Sequence, residues 1–120
     1  YKRQHELLTE KGVLIVAVPN CSSYDAQRYG EYWAAYDVPR HLWHFTPGTI
    51  QQLASRHGFI MAARHPMPFD AFYVSMLSEK HRGSSCSFLK GMFAGTLAWC
   101  NALGRKERSS SMIYVFRKKR

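Results

Sequence analysis

Residues 37–59 read Asp-Val-Pro-Arg-His-Leu-Trp-His-Phe-Thr-Pro-Gly-Thr-Ile-Gln-Gln-Leu-Ala-Ser-Arg-His-Gly-Phe. The second half of this stretch spells a helix with both ends marked. Thr46 can cap the amino end, and Pro47 suits the first helical position, where no amide hydrogen bond is lost. Ile50, Leu53, Ala54 and His57 recur at helical spacing. Gly58 offers the left-handed residue that closes a helix, and Phe59 can fold back on the last turn. The first half, Asp37 to Phe45, concentrates a carboxylate, a guanidinium, two imidazoles and two aromatic rings in a short loop. Polar and aromatic groups held on a capped helix suit contact with a substrate.

The flanking sequence supplies strands. Val13-Leu14-Ile15-Val16-Ala17-Val18 is an unbroken apolar run, which predicts a strand covered on both faces, as in a parallel α/β sheet. Pro19-Asn20 stops it. Residues 59–64 form a second strand candidate, and residues 111–117 a third. Strand, long connection with a helix, then strand is a βα crossover pattern. Residues 3–10 read as the end of a helix, and Tyr24 to Tyr29 as a short one.

Pro66-Met67-Pro68 is expected to break the chain. Phe69, Phe72, Tyr73, Met76 and Leu77 then predict a helix over 69–81 with that stripe in the core. A further helix over 88–103 carries apolar residues on more than one face, so it is either buried or set against a membrane or a partner. Together these elements predict an α/β domain with strands 13–18, 59–64 and 111–117 and helices 47–57, 69–81 and 88–103.

At 120 residues, with 46% hydrophobic and 14% aromatic content, the chain is one domain or part of one, and it is not a disordered sequence. The net charge of +9 is uneven. Residues 1–60 hold six Lys/Arg against five Asp/Glu, whereas residues 61–120 hold eleven against three. Such a basic half can draw nucleic acid, anionic lipid or an anionic substrate, or be a solvated terminus. The aromatic residues are not interleaved with these cations, which disfavours nucleic acid. Three cysteines without zinc spacing point to a reduced, cytoplasmic protein. The longest apolar run, Gly91 to Leu103, is too short to span a bilayer.

With these elements in place, the sequence resembles the C-terminal half of a class I S-adenosylmethionine-dependent methyltransferase. Lys11 to Asn20 resembles the family's fifth strand, with its glycine turn, apolar run and Pro-Asn ending. Asp37 to Thr46 resembles the segment before the next helix, Leu53 to Phe59 that helix and the start of the sixth strand, and Ser111 to Arg117 the last strand. The resemblance implies a partial Rossmann-like sheet in which 13–18 pairs with 111–117, which pairs with 59–64. It makes residues 1–120 the acceptor-side part of one methyltransferase domain, with a helical insertion at about 66–108. The family's glycine-rich turn and ribose-binding acidic residue have no counterpart here. The chain is therefore expected to hold no cofactor-binding residue, and neither to bind S-adenosylmethionine nor to transfer a methyl group alone. The edge of strand 13–18 would lack its neighbour and would be capped by a second copy or otherwise covered.

The implied acceptor is a small molecule or a lipid. His41 and His44 are candidates for the acid/base that takes a proton from it. A metal set is weakly supported, since His-x-x-His lacks a third ligand, and hydrogen bonds that fix the loop are the other reading. Asn20, Trp33, Asp37, Arg40 and Trp43 are candidate acceptor contacts. Asn20 alternatively serves its turn, Arg40 can pair with Asp37, and the aromatics can pack the loop. The alternative functions are a non-catalytic dimerisation or binding module, and a basic domain for nucleic acid or a membrane surface.

Overall fold

The apolar run after Gly12 forms the first strand of a small mixed α/β structure. The computed structural model describes residues 1–119; Arg120, the end of the basic tail, lies outside them. In chain order the elements are α1 (Lys2–Leu7), β1 (Val13–Pro19), α2 (Tyr24–Tyr29), α3 (Pro47–Arg56), β2 (Phe59–Met67), α4 (Asp70–His81), α5 (Ser87–Gly104) and β3 (Ser111–Lys118). Single 3-10 turns occupy Gly30–Tyr32, Ala34–Tyr36 and Lys106–Arg108.

The strands form one sheet in the order β1-β3-β2, with β3 antiparallel to both neighbours. This is the pairing expected of 13–18, 111–117 and 59–64. Val13 stands opposite Arg117 and Pro19 opposite Ser111. β2 runs further than expected, through Pro66 to Met67. Proline is tolerated there because β2 is an edge strand, so a missing N–H costs no ladder bond on its free side.

α3 follows its sequence signals closely. The Thr46 hydroxyl accepts from the Thr49 amide at 3.2 Å, and the Thr49 hydroxyl accepts from the Thr46 amide at 2.9 Å. That reciprocal pair satisfies two otherwise orphaned donors. His57 ends the helix, and Gly58 takes φ +79°. Ile50 and Ala54 bury against Phe59, Met112, Tyr114 and Phe116, with Leu14, Val16 and Val18 packed alongside.

The expectation that β1 is covered on both faces is not met. Its even residues face α3, but Val13 and Ile15 are open, Ile15 at 64% exposure, and Ile60 of β2 is exposed too. Helices cover one side of the sheet only, so the continuous apolar run describes a strand whose second face has no cover among the described residues.

The stripe expected to put α4 into the core is met in part, with Phe72, Met76 and Leu77 half-buried. Phe69 is 79% and Tyr73 59% exposed, while Ala71, Val74, Ser75, Ser78 and Glu79 are buried. The reason is the approach of α5. A Cβ on Gly91 would stand 2.4 Å from Met76 Cα, and one on Gly95 would stand 2.8 Å from Phe72 Cα. Two glycines therefore allow helix-to-helix contact that any larger residue would block. Of the buried polar groups of α4, Glu79 and Ser78 are paired, while the Ser75 hydroxyl has no hydrogen-bond partner among the described residues. Tyr29 donates to Glu79 at 3.1 Å, and Ser78 accepts from the Ala34 amide at 2.9 Å and donates to the Val74 carbonyl at 2.7 Å.

Candidate functional site

The loop at 37–45 is sewn to the carboxyl end of β1. The Cys21 amide donates to the Phe45 carbonyl at 3.0 Å, and Asn20 and Phe45 form an isolated parallel bridge. The loop enters through Asp37, at φ +43°, a left-handed conformation that Asp tolerates better than most residues. The His41 amide then donates to the Asp37 carbonyl at 3.0 Å.

This arrangement encloses a cavity of about 190 Å³ at the end of β1. Val18, Pro19 and Cys21 line it from the strand side, and Trp33, His41, Trp43, His44 and Phe45 from the loop side. It is somewhat larger than the roughly 150 Å³ that suffices for benzene in an apolar cavity. It can admit one ring or the reactive end of a longer molecule. Its position outside a strand's carboxyl end is the usual ligand edge of α/β sheets.

His41 and His44 both reach this cavity, but they differ in how they are held. His44 Nε2 lies 2.9 Å from the Tyr36 carbonyl oxygen, which can only accept, so Nε2 carries the proton. The lone pair of neutral His44 is then on Nδ1. Its ring meets Tyr36 edge-on at 4.9 Å, and Tyr36 meets Trp33 edge-on at 5.0 Å. His41 is exposed and has no side-chain hydrogen bond among the described residues. Of the two imidazoles, His44 is the oriented one.

Trp33 is anchored beneath them. It is 1% exposed, and its indole N–H donates to Asp25 Oδ2 at 2.8 Å. The same oxygen accepts from the Ser110 hydroxyl at 2.6 Å. Asp25 is fully buried, and its Oδ1 makes no hydrogen bond among the described residues. The expected helix at Tyr24 to Tyr29 puts Asp25 in its first turn, but nothing in the sequence indicates that Trp33 and Ser110 close over it.

The remaining candidates fall into two groups. Trp43 lines the cavity and is 82% exposed, free to contact a bound molecule. Asp37 and Arg40 pair with each other at 2.7 Å on the surface and do not line the cavity. Asn20 is fully buried, and all its hydrogen bonds are internal. Its amide donates to the carbonyls of Glu107 at 2.7 Å and Ser109 at 3.0 Å, while its Oδ1 accepts from the Ser22 amide and hydroxyl. That side chain ties the end of β1 to the approach of β3 and leaves nothing for an acceptor.

Cys21 enters the cavity wall unforeseen. Burial pushes its thiol up from the ordinary cysteine range, which keeps it protonated and a poor nucleophile. Among the described residues no three His, Cys, Asp or Glu side chains gather into a ligand set.

Dinucleotide-like cofactors need a glycine turn directly after a strand, where the backbone can approach the ligand. β1 ends in Pro19 and the committed Asn20, and the left-handed glycines, Gly30, Gly58 and Gly83, all close helices or turns. No protein-family model matches this chain, and no curated protein matches it.

Proposed function

We propose that residues 1–120 form the acceptor-side part of a methyltransferase that uses S-adenosylmethionine, the methyl donor being held by residues outside this chain. The acceptor is a small molecule or the reactive end of a lipid. The observation that carries the reading is the cavity at the carboxyl end of β1, walled by two tryptophans and by His44 with its proton fixed on Nε2. The strand order β1-β3-β2, with the middle strand reversed, supports it.

In this reading the tryptophans clamp an apolar or ring-bearing acceptor against β1. His44 presents Nδ1 to take the acceptor's proton, and Tyr36 keeps the ring in place. His41 and Trp43 close the outer wall. Asp37–Arg40 and Asn20 shape the loop and its seat.

The test is transfer of labelled methyl groups into small-molecule and lipid extracts by the product of the complete reading frame that contains these residues. His44→Ala is expected to lower turnover about 100-fold or more, as for loss of a general base. His41→Ala should cost much less. Near-normal turnover in both variants would remove the imidazoles as acid/base groups.

A second reading has its own observation. β1 has a partner on one side only, and its outer face shows Val13 and Ile15. A free apolar strand edge favours association, so the chain would serve as a non-catalytic dimerisation module. The two readings part on whether that complete product binds S-adenosylmethionine.

A further inference from the structure

α5 is built inside out. Its buried side is made of small residues, Gly91, Ala94, Gly95, Ala98 and Ala102, which let α4 approach. At 100° per residue the opposite side carries Phe88, Leu89, Met92, Phe93, Leu97 and Leu103. Phe88, Leu89, Phe93 and Leu103 are each more than 60% exposed. The polar member of that side, Thr96, donates its hydroxyl back to the Met92 carbonyl at 2.9 Å, so it asks nothing of solvent. This is an uninterrupted apolar face on a helix of 18 residues, about 27 Å long. Scattered apolar side chains on a surface are ordinary, but a contiguous face marks a contact.

The charge around the face indicates what meets it. Lys80, Arg82 and Lys90 flank its amino-terminal end, and Arg105 and Lys106 its carboxyl end. All five are exposed, and none belongs to an ion pair among the described residues. No Asp or Glu lies between Lys80 and Lys106. A second copy docked through this face would bring uncompensated cations together. A surface with anionic headgroups compensates them, while its acyl boundary takes the large side chains. No helix of the described residues is long and apolar enough to cross a membrane, so α5 would lie in the interface rather than span it.

We infer that the α4–α5 hairpin docks flat on an anionic phospholipid surface, with the outer face of α5 inserted and the flanking lysines and arginines on the headgroups. None of these side chains lines the cavity at β1, so docking and methyl transfer are separable.

The test is flotation of the chain with phosphatidylcholine vesicles made with and without phosphatidylglycerol, at low and high salt. The wild type should float with the anionic vesicles, weakly with the neutral ones, and less at high salt. The double variant Leu89→Asp/Phe93→Asp changes only exposed positions and should keep its helical circular dichroism. It should lose binding about tenfold or more. Arg82→Glu/Lys90→Glu should lose the preference for phosphatidylglycerol. Failure of the folded wild type to bind either vesicle would overturn the inference, as would unaltered binding by the Asp variant. Self-association in sedimentation that the Asp variant abolishes, without vesicle binding, would overturn it in favour of a second copy.

Discussion

At the residue scale the decisive groups are polar side chains whose partners lie far away in sequence. Asn20 illustrates this. Its Pro-Asn context announces a turn, yet its role is to bind two carbonyls nearly ninety positions on. Asn20→Ala should therefore destabilise the fold by about 2–4 kcal/mol, because buried carbonyls lose their donors as well as the bonds themselves. The midpoint of urea unfolding measures this. A shift no larger than that of an exposed substitution would mean that Asn20 is not the tie described. Tyr29 and Tyr114 give a second check. Burial raises both phenols, Tyr29 with help from Glu79, to about 12. In the unfolded chain they return to about 10. Below pH 10 both states hold these protons, so stability does not change on their account. Between about 10 and 12 the unfolded state releases them first, so stability falls as pH rises. Ultraviolet titration should show these two among the last of the seven tyrosines to ionise, and unfolding should erase the lag.

At the element scale the sequence is most legible where local signals agree. Thr46, Pro47 and Gly58 mark α3 to within a residue because caps act on adjacent backbone groups. The three strands also follow from β-branched runs bounded by Gly and Pro, whereas their pairing order is what the family resemblance implies. Periodicity is only partly right at α4, where Phe72, Met76 and Leu77 are half-buried but Phe69 and Tyr73 point outward. Burial there is decided by Gly91 and Gly95 on a different helix, and no pattern within α4 records them. The loop at 37–45 is legible as a site in its residue types, but not in its geometry. His44 is distinguished from His41 by one carbonyl, that of Tyr36, and the underpinning by Asp25 and Ser110 depends on contacts across the fold. The helix contact is testable directly. Gly91→Leu places a side chain where even a Cβ would be 2.4 Å from Met76 Cα. It should cost about 1–3 kcal/mol by overpacking, visible as a lower thermal midpoint. An unchanged midpoint would show that the helices do not approach as closely as described.

At the scale of the whole molecule the surfaces left uncovered carry the functional argument. The accessible surface is 7813 Å², against roughly 6,700 Å² for a compact monomer of this mass. The radius of gyration is 15.8 Å, where about 13.6 Å is usual for this length. The molecule is a slab with extents of 52 × 32 × 18 Å, in which α3 packs on the sheet and the α4–α5 hairpin packs on α2 and the 3-10 turns. Its open sheet face shows Val13, Ile15 and Ile60, the edge of β1 has no strand beside it, and the outer face of α5 is apolar. A methyltransferase reading would give the first two a natural cover in the residues proposed to hold the cofactor. That claim is tested most directly by equilibrium dialysis of labelled S-adenosylmethionine. It would be measured against the product of the complete reading frame containing these residues, and against residues 1–120 alone. The account predicts saturable, one-to-one binding by the complete product and none by residues 1–120. A folded complete product that binds no S-adenosylmethionine would contradict it.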